Sequence, residues 1–312
     1  MHVLNVTPQS KPPLEAQRWV ESILGRPLMA INVMLGSTSA AVYHLIAEGG
    51  NEYVLRLFTS KSWLQSEPDL AKHEAFTLIE ALAANILTPE LIGFDETGQD
   101  TVFPAVLMTK LAGSVELQPF DIDLWVEQLA ESLFEIHSLD IGDGFAWHYK
   151  HWYLPQELQV PSWSRKPKAF RQLVEFLQDP SPKLPTVFLH RDYHPTNVLW
   201  ENGKISGVVD WVNGCVGPAM VDVSHCRLNL VGLYGVDVAD KFLRAWLNLA
   251  GPNSYSLWWD INGLANGGVF EEPISVYRGW ADFGKSDITV EQLAFRMDQY
   301  IEALAAEIML NP

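Results

Sequence analysis

At 312 residues the chain can bury a full core, as one large domain or as two lobes. Its 38 Asp and Glu against 21 Lys and Arg leave a formal net charge of -17, which argues against nucleic acid or an anionic membrane surface as the main partner, because both are held by clustered positive charge. The two cysteines, Cys215 and Cys226, lack the paired spacing of a zinc site and read as free buried thiols; with neither a leader-like start nor a long apolar run, a soluble cytoplasmic protein is expected.

The first predicted element is a helix over residues 14–24, where Leu14, Trp19, Val20, Ile23 and Leu24 recur at helical spacing and Gly25 and Pro27 stop the run. Apolar runs at 29–35, 41–47 and 53–58 predict three strands, the first two joined by Gly36-Ser37-Thr38-Ser39. Ser66-Glu67-Pro68-Asp69 reads as a helix start, Ser as cap and Pro in the first turn, with the helix running through Glu74 to about residue 84. Two further strands, at 88–94 and 103–108, flank a turn at 96–100. The second runs into Thr109-Lys110-Leu111-Ala112-Gly113, and Gly113 and Ser114 mark the expected boundary between an N-terminal unit, 1–113, and a C-terminal one, 114–312.

An amphipathic helix is predicted at 121–138, with Val126, Leu129, Ala130, Leu133 and His137 on one face; His137 reads as a packed residue. A polar stretch at 147–164 leads to a helix at 165–178 and a strand at 185–189. Helical patterns return at 219–231 and 236–249, followed by Trp-rich segments whose indoles (Trp246, Trp258, Trp259, Trp280) read as core. The last helix is capped by Thr289 with Gln292 three residues on, and buries Leu293, Met297, Ile301, Leu304 and Ile308. There is no internal repeat.

The stretch that carries chemistry is His190-Arg191-Asp192-Tyr193-His194-Pro195-Thr196-Asn197, followed by a predicted strand–turn–strand that ends in Asp210. Asn202-Gly203 favours the positive φ angles of a type I′ turn, and a two-residue loop makes Glu201 face Lys204 and Asn197 face Val208. That register sets Asp210 just beyond Asn197 at one end of the hairpin. An amide oxygen and a carboxylate so placed suit a hard cation such as Mg²⁺. Asp192, one short loop upstream, is free to reach a substrate hydroxyl. The pattern reads as phosphoryl transfer.

The spacing matches the protein-kinase catalytic loop, His-Arg-Asp with Asn five residues after the Asp. The variable positions differ: His194 stands where protein kinases usually carry Lys, Trp211 and Val212 follow Asp210 in place of Phe-Gly, and no Ala-Pro-Glu follows. The run HRDYHPTNVLW…GVVDW…GPAMVD resembles instead the aminoglycoside phosphotransferase and choline kinase superfamily of small-molecule kinases, over nearly all of residues 20–300 and most specifically at 185–225.

The resemblance implies an α+β, two-lobed protein-kinase-like fold, with a small, mainly β N-lobe carrying one key helix and a larger helical C-lobe. It implies Asp192 as catalytic base, Asn197 and Asp210 as Mg²⁺ ligands, and ATP or GTP as phosphoryl donor. Gly36, Ser37, Thr38 and Ser39 would cover the phosphates, although one Gly replaces the usual three. Arg56 takes the place of the strand Lys that pairs with phosphates, and Glu74 matches the helix Glu that orients it. Backbone around Met108, Thr109 and Leu111 would hold the adenine. His190 would support the loop, and Asp222 would organise backbone N–H groups without binding metal.

Three function classes follow. The first is a kinase of a small-molecule hydroxyl, on an antibiotic or on a metabolite such as homoserine, choline or a sugar amine. The second is a protein kinase, disfavoured by His194 and the missing activation-segment landmarks. The third is a nucleotide-binding but inactive member with a structural or regulatory role, for which Arg56 and the reduced glycine loop speak, and against which Asp192, Asn197 and Asp210 are all retained. Asp121, Asp123, Asp140, Asp143, Asp260, Glu271, Glu272 and Asp282 crowd segments expected to border the acceptor, near Trp258, Trp259 and Trp280. That points to a cationic acceptor, such as an aminoglycoside or amino alcohol; acidity that serves solubility alone explains it equally well. Acceptor identity and oligomeric state are not legible in the sequence.

Overall fold

A computed structural model describes residues 10–34, 40–142 and 144–310. The expected phosphate loop, Gly36, Ser37, Thr38 and Ser39, lies outside the described residues, as does Asp143. The chain divides into two compact units: residues up to Gly113 together with Ser206–Gly214, and Ser114–Ile205 together with residues from Cys215 onward.

The first unit opens with α1 (Leu14–Leu24), whose Ala16 and Val20, four residues apart, share the buried face. Gly25 ends it in the left-handed region (φ 65°) and donates its N–H to Glu21 O at 2.9 Å, a conformation glycine adopts without a Cβ penalty. Then come β1 (Leu28–Val33), β2 (Ala41–Ala47) and β3 (Glu52–Leu57), joined later by β4 (Leu91–Asp95) and β5 (Ala105–Thr109) in one antiparallel sheet of order β1-β2-β3-β5-β4. Alternate residues of the central strands, Tyr43, Leu45, Leu55, Leu57, Ala105 and Leu107, meet Ala16 and Val20 in the core of this unit.

The helix expected to start at Ser66 starts four residues later, and a short helix that the sequence did not show precedes it. The short helix, α2 (Lys61–Ser66), is capped by Ser60 Oγ, which accepts Trp63 N–H, and Ser66 closes it with its hydroxyl bonded to Trp63 O at 2.9 Å. Glu67, the residue before Pro68, is driven out of the helical region (φ −136°, ψ 84°) by the proline ring, and this ends α2. The expected helix, α3 (Leu70–Ala81), starts after Asp69, whose side chain makes no cap hydrogen bond.

The second unit begins with β6 (Ser114–Val115) and α4 (Ile122–His137), capped by Asp121, which accepts Asp123 and Leu124 N–H at 3.1 Å each. After α5 (Pro167–Phe176) come β7 (Thr186–Leu189), β8 (Val198–Glu201) and β9 (Lys204–Val208), of which the residues from Ser206 on are counted with the first unit. Asn202 (φ 52°) and Gly203 (φ 75°) both take positive φ in the tight turn between β8 and β9. A strand not expected from the sequence, β10 (Cys215–Pro218), pairs antiparallel with β7, Cys215 opposite Leu189. Helices α6 (Met220–Tyr234), α7 (Val236–Ala250), α8 (Leu257–Asn266), α9 (Arg278–Asp282) and α10 (Val290–Leu310) complete the unit. Helix α6 packs on α7, α8 and α10, and α4 packs on α7.

Trp246, Trp258, Trp259 and Trp280 are all buried. The indoles of Trp258 and Trp259 donate to Asp179 O (3.0 Å) and Pro182 O (2.9 Å), so they serve the core of their own unit. A five-stranded sheet with α1, α2 and α3 in the first unit, and mostly helices in the second, make the chain α+β. No helix among the described residues is long and apolar enough to cross a membrane.

Candidate active site

In the second unit, β7 delivers a fully buried Leu189 and His190 into the loop 190–197. Asp222, in the first turn of α6 and 0% exposed, takes the loop by its backbone: Oδ2 accepts His190 N–H at 2.8 Å and Oδ1 accepts Arg191 N–H at 2.7 Å. A carboxylate suits the positive end of a helix, and His137 at the end of α4 lies 3.2 Å from its Oδ2. Tyr193 is buried and donates its hydroxyl to Leu129 O at 2.9 Å, tying the loop to α4.

Arg191 sits at φ 72°, where a side chain costs about 1–2 kcal/mol. The Asp222 bond to its own N–H holds it there. Its guanidinium lies 3.8 Å from the ring centroid of Trp152 and 4.6 Å from that of Tyr149, and donates to Lys150 O at 3.3 Å and Asn266 Oδ1 at 3.4 Å. Sequence alone leaves the role of Arg191 open; the structure makes it the link between the loop and an aromatic–amide cluster.

Asp192 is partly exposed, and His190 Nδ1 accepts its N–H at 3.3 Å. Oδ1 lies 3.0 Å from His225 Nε2 and 3.8 Å from His194 Nε2. His194 meets the Thr196 hydroxyl at 2.9 Å through Nδ1. Burial pushes the Asp192 carboxyl up, but His194, His225 and His190 together outweigh it and hold the group well below the usual carboxylate range. Asp192 is therefore an anion at neutral pH. Asn197 donates Nδ2 to Asp192 O at 2.8 Å, and lies 3.4 Å from Oδ2 through the same nitrogen, so its amide oxygen is not spent on Asp192.

In the first unit, three distant segments meet. Arg56 on β3 places Nε 3.1 Å from Glu74 Oε2 on α3, and Nη2 2.8 Å from Asp210 Oδ1. Glu74 is buried, and desolvation, outweighing Arg56 and aided by Asp210, pushes it up to about 7. Asp210 takes the left-handed region (φ 70°), and the turn after it is locked to α3: His73 Nε2 lies 2.6 Å from Gly214 O, and Thr77 packs under Gly214. Gly207 packs directly against Leu87 and Leu111, and a Cβ there would sit 2.9 Å from Leu87 O. Met108 and Thr109 end β5, with Leu111 two residues on; the N–H groups of Thr109 and Lys110 are taken by Glu90 O and Glu52 O.

Asn197 and Asp210 belong to different units; each carries a side-chain oxygen of the hard kind that Mg²⁺ takes, and Asp210 Oδ1 also meets Arg56 at 2.8 Å. Asp192, His194 and His225 offer one carboxylate and two imidazoles, whose ligand atoms lie within 4.8 Å of one another.

The acidic rim expected around the acceptor is partly internal. Asp260 is 1% exposed, paired with Arg227 and hydrogen-bonded by Tyr300 at 2.9 Å. Asp123 pairs with Lys241, and Glu272 accepts from the backbone and hydroxyl of Ser162. Packing uses these charges because a buried Arg needs carboxylate partners. The sequence reading also passed over His225, weighed only against cysteine spacing. The usable signal is its place three residues after Asp222, on the same face of one helix.

A charge-paired Arg, Glu and Asp in the sheet-bearing unit, and a braced His-Arg-Asp loop in the helical unit, define the kinase-like class of phosphotransferases. The model of the phosphotransferase enzyme family (APH) matches residues 31–258, and the chain belongs to that family. No curated protein matches it in sequence. Among solved structures it is similar to a thermostable mutant of aminoglycoside phosphotransferase APH(4)-Ia in ternary complex with ADP and hygromycin B, at 14% identity over 94% of this chain and 98% of that one, TM-score 0.62. It is similar too to macrolide 2'-phosphotransferase MphH of Brachybacterium faecium, at 15% identity over 91% and 98%, TM-score 0.60. A third is the streptomycin–ATP–APH(2")-IIa complex, at 14% identity over 81% and 90%, TM-score 0.55. At these identities the likeness is one of fold, and the fold is the kinase-like α+β one.

Proposed function

We propose that the chain transfers the γ-phosphoryl group of ATP, or GTP, to a hydroxyl of a small molecule, with Mg²⁺ as the metal. The observation that carries this reading is Asp192, an anion braced among three histidines on a loop fixed by Asp222. The bond from the γ-phosphorus to the β-bridging oxygen breaks, a bond to the acceptor oxygen forms, and the acceptor's proton passes to the Asp192 carboxylate. Asn197 and Asp210 would hold Mg²⁺, which when bound neutralises phosphate charge. Arg56, oriented by Glu74, would pair with phosphate oxygens through a planar fork. Residues 36–39 would cover the phosphates and backbone near Met108, Thr109 and Leu111 would meet the base. The nucleotides in the APH(4)-Ia and APH(2")-IIa complexes support nucleotide use.

The acceptor is proposed to be a hydroxylated amine, an aminoglycoside or an amino alcohol. The net charge of -17 and the hygromycin B and streptomycin of the similar structures support this class. The metal assignment is tested by calorimetry. Asp210→Ala removes a charged ligand and Asn197→Ala a neutral one, so the first should weaken Mg-ATP binding more; equal affinity in wild type and Asp210→Ala would refute it.

A further inference from the structure

We infer that His225 is a positioning residue for Asp192: its Nε2–H holds Oδ1, so that Oδ2 is the oxygen left to take the acceptor's proton. This rests on the reading of Asp192 as the base.

Two contacts reach the loop from one face of α6. Asp222 fixes the backbone of His190 and Arg191, and His225, one turn further along, meets the side chain of the next residue at 3.0 Å. The distance is that of a charge-assisted hydrogen bond, with the carboxylate accepting. His194 stands at 3.8 Å, and its Nδ1 is engaged with Thr196. The His225 ring is itself flanked: it meets the His194 ring edge-on at 5.5 Å between centroids, and Asn229 Nδ2 lies 3.4 Å from its Nε2 while donating to the His225 backbone O at 3.0 Å. On the other side of the carboxylate, Asn197 Nδ2 lies 3.4 Å from Oδ2. With one oxygen held and the other flanked, the plane of the carboxylate is set before an acceptor arrives, and a base already aimed has no rotamer freedom to lose at the moment of transfer.

The same three side chains could instead ligate a soft divalent ion. Ligands of one tetrahedral zinc, each at ~2.0–2.1 Å, lie roughly 3.3–3.4 Å apart. The 3.0 Å separation of Oδ1 and Nε2 is the hydrogen-bonded spacing.

The test compares His225→Asn, whose amide is too short to reach Oδ1, with His225→Gln, whose amide reaches as far as Nε2. The assay is Mg-ATP consumption with water and with hygromycin B, streptomycin, homoserine and choline as acceptors. Turnover should fall by about 10- to 100-fold in His225→Asn with the KM for ATP unchanged, and recover most of that loss in His225→Gln. Adding His225→Asn to Asp192→Asn should cost little more, since the two act as a unit. Equal turnover in the Asn and Gln variants, with Asp192→Asn impaired, overturns the positioning role. Full turnover in Asp192→Asn overturns the base assignment instead. A crystal structure of His225→Asn reads the claim without turnover: a rotated Asp192 carboxylate is expected, and an unmoved one overturns it. Co²⁺ titration separates the metal reading, because a tetrahedral Co²⁺ absorption band in the wild type, lost in His225→Gln, would make His225 a ligand.

Discussion

Glu74 shows how much a single residue can carry. Its carboxyl is buried, faces Arg56, and is pushed up from 4.5 to about 7 because desolvation outweighs that partner. Between those values the folded chain holds a proton that the unfolded chain has released, so stability contributed at this site falls as pH rises through the window. Glu74→Gln keeps the shape and removes the ionisation. Its Tm relative to wild type should therefore rise from pH 4.5 to 7.5, and a difference that stays constant would show that folding does not raise the Glu74 pKa. Arg191 and His225 are the residue-scale features that the sequence did not show. A pattern of fixed types along the chain names the loop; the partners that hold its side chains come from residues 149–152, α6 and α8, and only the fold brings them there.

At the scale of elements, helices with clear ends were readable. The last helix was legible from Thr289 and Gln292, whose side chains each accept the other's backbone N–H at 3.2 and 3.0 Å. The helix that carries Glu74 is legible but its start is not: Ser66 and Pro68 suit a cap, while Ser66 in fact ends α2, the proline forces Glu67 out of helical geometry, and α3 begins at Leu70. Strand β10 escaped notice because four residues that end in Gly217 and Pro218 carry no alternation; its pairing with β7 is a tertiary fact. The element with the greatest leverage is α6, through Asp222. Asp222→Ala would leave two buried N–H groups without an acceptor, each worth about 1–3 kcal/mol. Urea denaturation should show a loss of roughly 2–5 kcal/mol, well beyond the ~1 kcal/mol expected for the exposed cap change Thr289→Ala. Equal losses would mean that the loop is held by something other than Asp222.

For the whole molecule, the charge of -17 argues against nucleic acid as a partner, yet it is a poor guide to where carboxylates lie. Asp260 answers a buried Arg227, and Asp123 answers Lys241 at the surface, so part of the acidity is already paired within the chain. If the remainder attracts a cationic acceptor, the acceptor's KM should rise as salt is raised from 0.05 to about 0.5 M, where screening shortens to a few ångströms. A KM indifferent to salt would assign the charge to solubility. The central claim is acceptor-dependent phosphoryl transfer with Asp192 as base. It is tested most directly by following ADP formation and the phosphorylated product with Mg-ATP across a panel of aminoglycosides, macrolides, homoserine, choline and ketosamines, in wild type and Asp192→Asn. The account predicts one acceptor class that yields a phosphate ester in wild type, with turnover about 10²–10⁴-fold lower in Asp192→Asn and nucleotide binding intact. No ester with any acceptor, or equal turnover in the two proteins, would contradict it.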